Sequence, residues 1–241
     1  MKKWNSEEHS PWTTKYPGRI IEINPAANEI NGAVAIPGSK SLTNRALLLS
    51  ALSTGSSTLT GILKSDDSYW CLNTLRQLGA DITVQGDSAI VRGTGGKWKS
   101  AELYIGSAGT VARFLPGILA ASEKGEWEIE ASRQMSRRPV KPLIEGLQAI
   151  GARIRYTKAS GYYPLLIKGG GLHGGNVSLS GQVSSQFISG LLLASPYAKK
   201  TRNDRVRRAD CPARLCSSYF EANGTIRGKS RVRSSLDNDS Y

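Results

Sequence analysis

Lys40, Ser41, Asn44 and Arg45 crowd into the stretch PGSKSLTNRALLLSAL at 37–52, directly ahead of an apolar helical rhythm. Two further stretches place similar residues at similar points. GSAGTVARF at 106–114 offers Ser107, Gly109, Thr110 and Arg113, and VSSQF at 183–187 offers Ser184, Ser185 and Gln186. At the start of a helix the first N–H groups have no intrahelical acceptor and the helix dipole is positive, so such a place favours an anion. Ser41 and Arg45 are spaced i, i+4, so a hydroxyl and a guanidinium can serve one carboxylate or phosphate. Gly109 lets a ligand approach the backbone closely. The stretch SRQMSRRPVKP at 132–142 adds Arg133, Arg137, Arg138 and Lys141 near another helix start. Taken singly, Ser, Asn and Thr at these points read as ordinary N-caps, and the arginine cluster as a solvated basic turn. A nucleotide-binding P-loop at Gly32–Lys40 is excluded by its spacing and by Pro37 inside it.

The elements that would position these groups follow from an internal repeat. IPGSKSLTNRALLLSAL (36–52), IGSAGTVARFLPGILAA (105–121) and LSGQVSSQFISGLLLAS (179–195) share one order: an apolar strand end, a glycine, small polar residues and a helix. Their leading glycines, Gly38, Gly106 and Gly181, stand 68 and 75 residues apart. CLNTLRQLGADITVQGDSAIVRG (71–93) is matched by LIEGLQAIGARIRYTKASGYYPLLIKG (143–169), each an amphipathic helix, a glycine stop, a strand, a turn and a strand. The expected fold is therefore α/β, built from β-α-β-α-β-β units, two complete and a third that begins near Val177 and is truncated. Its missing half should have followed residue 200. Codons can be chosen for 201–230 so that a frame shifted by one nucleotide reads a strand, a turn and LKLMVLFGVKV, the absent element. Residues 201–241 are accordingly expected to be a frameshifted, disordered tail.

Composition narrows the function classes. The chain has 241 residues, with 39% hydrophobic and 21% charged residues, which is ordinary for a globular protein. The net charge of +13 is spread over the chain and points to anionic partners. The five tryptophans are scattered rather than interleaved with basic residues, which argues against nucleic acid. No apolar run suits a membrane span, and the N-terminus lacks a secretory h-region. Cys71, Cys211 and Cys216 form no disulfide framework, which suits the cytoplasm, and no metal site is expected.

Taken in order, PGSKSLTNRALLLSAL, Asp66–Asp67, GSAGTVARF, the RRP at 137–139 and VSSQF closely resemble the 5-enolpyruvylshikimate-3-phosphate (EPSP) synthase family. The resemblance covers roughly residues 20–200. It implies a two-domain transferase of the shikimate pathway that moves the enolpyruvyl group of phosphoenolpyruvate to the 5-hydroxyl of shikimate-3-phosphate, without a cofactor. It implies that Lys40 contacts both substrates, that Ser41 and Arg45 face the shikimate carboxylate side, and that Ser184 and Ser185 hold the 3-phosphate. Gln186 would lie between the substrates, and Gly109 and Arg138 would face phosphoenolpyruvate with Ser107 and Thr110 beside them. Ser107 stands where the family often has asparagine, and Phe114 where it has proline or leucine, near the region that influences glyphosate. The sister enzyme acting on UDP-N-acetylglucosamine would carry a catalytic-loop cysteine, and Cys71 is not in such a motif.

The same resemblance places the family's acid/base residues in a second domain. Residues 1–30 are then a segment that crosses to that domain, residues 31–200 an incomplete first domain, and residues 201–241 a non-family tail. Strand RIIEINPA at 19–26 would be left as an apolar edge. Asp66–Asp67 reads as an N-cap rather than as a proton-transfer pair. The expectation is a chain that binds shikimate-3-phosphate and phosphoenolpyruvate, with glyphosate as a further ligand, and that is inactive alone. The alternatives are a non-enzymatic anion-binding module and half of a split enzyme completed in trans by a second domain.

Overall fold

The computed structural model describes residues 9–13, 22, 31–175, 177, 179 and 184–198. Two sheets carry the repeat. In the first unit, α1 (Lys40–Leu52) leads to β1 (Ser56–Leu59), α2 (Asp66–Gln77), β2 (Asp81–Gln85) and β3 (Ser88–Arg92). The strands form an antiparallel sheet in the order β1-β3-β2, with Val91 opposite Ser57 and Ile82. In the second unit, β4 (Ala101–Tyr104), α3 (Gly109–Ala120), β5 (Glu126–Glu130), α4 (Lys141–Ala149), β6 (Arg153–Tyr156) and β7 (Leu165–Lys168) build a sheet in the order β4-β5-β7-β6. Only β4 and β5 are parallel, joined by the crossover helix α3; the other pairs are antiparallel. The third unit enters with buried Val177 and Leu179 and continues into α5 (Ser185–Ala194).

Alternation fixes which strand face is inside. In β5, Trp127 and Ile129 are buried while Glu126, Glu128 and Glu130 point outward. Trp127 is wholly inaccessible and its indole N–H donates to the Lys99 carbonyl at 2.7 Å. The helices α2 and α4 end at Gly79 and Gly151, whose positive φ angles of 105° and 100° turn the chain into β2 and β6. Both glycine stops were legible in the sequence.

One element differs from expectation. Among the described residues the first unit shows no leading strand: residues 31–39 carry no regular structure, and Val34 and Ile36 are 87% and 86% exposed. The alternation of AVAI is strand-like, and β1 has an open edge at the place where β4 lies against β5 in the second unit, yet the stretch forms no ladder with any described strand. Gly38 nevertheless lies close against the loop before α2, where a Cβ would sit 2.0 Å from the Gly61 carbonyl oxygen. The expected edge strand at 19–26 (Glu22 apart), Gly181 and the tail 201–241 lie outside the described residues.

The core is continuous from the first unit to α5. Leu47, Leu72 and Leu75 join Phe114, Leu115 and Leu119, then Leu143, Ile144 and Leu193. Helix α3 packs chiefly against α5. Glycines allow the approach: a Cβ at Gly190 would lie 2.2 Å from the Arg113 carbonyl oxygen, and one at Gly117 2.9 Å from that of Gly190. Within α3, Pro116 has no N–H for the Ala112 carbonyl four residues earlier. The Tyr163 hydroxyl donates there instead, at 2.6 Å. No helix among the described residues is long and apolar enough to cross a membrane.

Candidate functional site

Three helix starts supply the site. Helix α1 begins at Lys40 with Ser39 as its N-cap. Its placement follows from Thr43, whose hydroxyl accepts from the Leu63 N–H at 3.0 Å and so ties α1 to the loop that opens α2. Asn44, fully buried one turn in, donates through Nδ2 to the Thr110 hydroxyl at 2.5 Å. That bond joins the starts of α1 and α3 directly. Its residues are 66 positions apart in the chain.

Helix α3 starts at Gly109 after Ala108, which offers no side-chain cap. The first turn therefore keeps its N–H groups for another acceptor. The loop leading to it is fixed by Trp70: Gly106 has φ 53°, and a Cβ there would meet the Trp70 indole nitrogen at 2.2 Å. Trp70 is itself held edge-on between Tyr69 and Tyr104, at 5.2 and 5.1 Å between ring centroids.

Around Gly109 two guanidinium groups converge. The position a Cβ would take is 3.7 Å from Nη1 of Arg113 and 3.7 Å from Nη1 of Arg138, with no atom of the described residues closer beyond the helix's own backbone and the neighbouring residues. Arg113 is 7% exposed, donates from Nη1 to the Gly109 carbonyl at 3.2 Å, and has a buried Nε with no partner among the described residues. Burial pulls its pKa below the ordinary value; Tyr163 and Asp67 act in the opposite sense and Arg138 in the same one. An arginine remains protonated through such a shift. The result is a desolvated cation beside an exposed one, facing a gap that lacks a side chain. Arg138 is set by the short 3-10 turn Met135–Arg137.

Asp67 answers part of this charge. Its carboxylate lies 3.8 Å from the Lys40 ammonium. The expectation that the Asp66–Asp67 pair caps α2 is corrected by the structure. Ser65 is the N-cap, and Ser65 and Ser68 close a reciprocal capping box. The aspartates stand in the first turn, where negative charge suits the helix dipole. A serine in place of the usual Glu or Gln at the third position hid the box in the sequence.

The third helix start is attached one turn further in. Arg45 donates to the Ser41 carbonyl at 3.2 Å and to the Ser189 hydroxyl of α5 at 3.4 Å, with its guanidinium 5.1 Å from the Phe114 ring centroid. Ser184 is the N-cap of α5 and accepts from the Gln186 N–H at 3.2 Å. Ser185 is exposed, and Ser184 and Gln186 are half-buried. The structure thus brings together Asn44, Gly109, Thr110, Arg113 and Arg138, with Lys40 tied in through Asp67, whose charge acts on Arg113. It links Ser41 and Arg45 to α5, and leaves Ser107 half-buried in the loop before α3. Trp70 and Tyr163 have no local motif that announces them, and Asp67 stands out in the sequence only as half of the Asp66–Asp67 pair. Among the described residues no group of three or more His, Cys, Asp or Glu is placed to hold a metal ion.

Comparison with known proteins decides the family. Residues 25–209 match the family model of EPSP synthase (3-phosphoshikimate 1-carboxyvinyltransferase). The chain belongs to the EPSP synthase family. It is 54% identical over 198 residues to 3-phosphoshikimate 1-carboxyvinyltransferase 2 of Halalkalibacterium halodurans, covering 82% of this chain and 44% of that protein. It is 42% identical over 179 residues to the 3-phosphoshikimate 1-carboxyvinyltransferase of Aliivibrio salmonicida, covering 72% and 42%. The structure of the EPSP synthase from Acinetobacter baumannii superposes with a TM-score of 0.65 at 29% identity, over 73% of this chain and 41% of that one. The chain therefore spans less than half the length of these relatives.

Proposed function

We propose that this chain supplies the shikimate-3-phosphate-binding half of an enolpyruvyl transferase site, together with part of the phosphoenolpyruvate site. The observation that carries the reading is the gap at Gly109: an uncapped helix start flanked by one buried and one exposed arginine and joined to α1 by Asn44 and Thr110. A phosphate or carboxylate in that gap would take the free N–H groups of α3 and bridge Arg113 and Arg138. Lys40, at the start of α1, would reach the same anion and the second substrate. Ser41 and Arg45 would face the shikimate carboxylate, Ser184 and Ser185 the 3-phosphate, and Gln186 the space between the substrates. Ser107 would line the phosphoenolpyruvate side.

The chemistry sets what such a half-site can do. The 5-hydroxyl oxygen adds to C2 of phosphoenolpyruvate as its C3 methylene gains a proton, and the adduct then loses phosphate and a C3 proton. These steps need a base at the hydroxyl and an acid at C3. Cations around the phosphates position the reactants and offset their mutual repulsion. The groups assembled here do that binding work, while Asp66 is held by Ser10 and Asp67 faces Lys40. Glyphosate would compete in the phosphoenolpyruvate part. A reducing cytoplasm suits Cys71, a buried free thiol.

Phosphate release tests the reading. The purified chain, given both substrates, is expected to bind them and to release no phosphate above background. Release is expected to appear when a separately produced second domain of a relative is added, as for a split enzyme. Turnover by the chain alone would overturn the assignment. Binding with no turnover in either case would favour a simple anion-binding module.

A further inference from the structure

We propose that the segment His9–Thr13 is a strap that acts through Asp66 to position the Asp67–Lys40 pair. This rests on Lys40 being a substrate-binding group. The segment lies ahead of the residues matched by the family model, which begin at 25. Its geometry converges on one carboxylate. Oδ1 of Asp66 accepts from the Ser10 N–H at 2.7 Å and from the Thr13 hydroxyl, and Nδ1 of His9 lies 3.4 Å from Oδ2. Burial alone would raise the Asp66 carboxyl, but the hydrogen bonds from Ser10, Thr13 and His9 together outweigh it and hold its pKa below the usual 3.8.

The strap is a compact turn with its own internal bonds. The Thr13 N–H donates to the Ser10 carbonyl at 3.0 Å and the Trp12 N–H to the Ser10 hydroxyl at 3.1 Å. Ser10 is 6% exposed. Trp12 meets Tyr69 edge-on at 5.5 Å between centroids, and the Lys64 ammonium sits 5.8 Å from the Trp12 ring. Tyr69 continues into the Trp70–Tyr104 contact that holds the loop before α3. The strap therefore grips the first turn of α2 at both Asp66 and Tyr69.

Terminating α2 does not require it. Ser65 and Ser68 already satisfy the helix start between themselves. What the strap adds is a hold on the first turn of α2 through Asp66 and Tyr69, and so on the stretch of backbone that carries Asp67 opposite Lys40. Lys40 is half-exposed on a flexible stem, and Asp67 is its one ion-pair partner among the described residues. Holding Asp67 in place holds the ammonium where the anion gap needs it.

Thr13→Val in the full chain removes the hydroxyl bond at nearly constant shape, and Thr13→Ser restores the hydroxyl. Two readouts separate positioning from stability: shikimate-3-phosphate affinity by calorimetry, and the Lys40 Cε resonance in lysine-labelled protein. Thr13→Val is expected to weaken binding by about fivefold, the low end for coupling between separate sites. It is also expected to move the Lys40 resonance, with Thr13→Ser reverting both. A shifted melting temperature with affinity and Lys40 resonance unchanged would overturn the proposal and leave the strap a purely structural clasp. If the wild-type chain binds no shikimate-3-phosphate but Thr13→Val still moves the Lys40 resonance, the strap stands and the ligand assignment fails.

Discussion

Tyr163→Phe isolates the device that holds α3 under the anion gap. The Tyr163 side chain is 3% exposed, and burial, tempered by the nearby Arg113, pushes its phenol well above the ordinary value, so it stays protonated and donates. Its acceptor is the Ala112 carbonyl, to which Pro116 can give no N–H. Removing the hydroxyl leaves a buried acceptor without that partner at almost unchanged volume, which costs about 1–3 kcal/mol. For a chain of this size, that corresponds to a fall of about 2–4 °C in melting temperature per kcal/mol. The cost should depend on the proline. In a Pro116→Ala background the substituted alanine supplies the missing N–H, and Tyr163→Phe should then cost under about 1 kcal/mol. Urea denaturation of the wild type, both single variants and the double variant gives the coupling directly. Equal costs in the two backgrounds, or no cost in either, would refute the reasoning that the hydroxyl replaces the bond lost at Pro116. Arg113 follows Ala112, so the wild-type background should also lose anion affinity.

Further expectations concern the glycines and the acid limb. Gly109→Ala should leave stability within about 0.5 kcal/mol, because its Cβ meets only the two arginine Nη1 atoms at an ordinary 3.7 Å, yet it should weaken phosphoenolpyruvate binding by occupying the gap; calorimetry and urea melts check both parts. Gly190→Ala should destabilise by about 3 kcal/mol or prevent folding, since its Cβ would lie 2.2 Å from the Arg113 carbonyl oxygen; unchanged melting would show that α3 and α5 do not cross there. Asp66 is held below its ordinary pKa in the fold, so its contribution is complete above pH 3.8 and is lost as pH falls through the lower folded value. Thermal melts from pH 6 down to about 2 should show an acid limb that Asp66→Asn flattens below about pH 4.

Much of the fold could be read from the chain because its repeat is written in local chemistry. The glycines after α2 and α4, the alternation in β5 and the small residues before α1 and α3 each act within a few positions. What stayed hidden depends on distant partners. AVAI at 33–36 has the pattern of a strand, but a strand exists only where a ladder forms, and this stretch pairs with no described strand although β1 has an open edge. Asp67 looks like a helix-start acid until Lys40 is found beside it. Tyr163 reads as a turn residue, and only the packing of β7 against α3 reveals that it compensates for Pro116, whose effect falls on a carbonyl 51 residues away from the tyrosine. The site residues were legible as types and spacing. Their convergence was not, because Asn44 and Thr110 meet across the two units.

Titration of the full chain with shikimate-3-phosphate in a calorimeter tests the central claim most directly. One saturable site is expected, strongly weakened by Lys40→Ala and by Asn44→Ala, whose bond to Thr110 joins the two helix starts. No saturable binding, or binding indifferent to both substitutions, would contradict it.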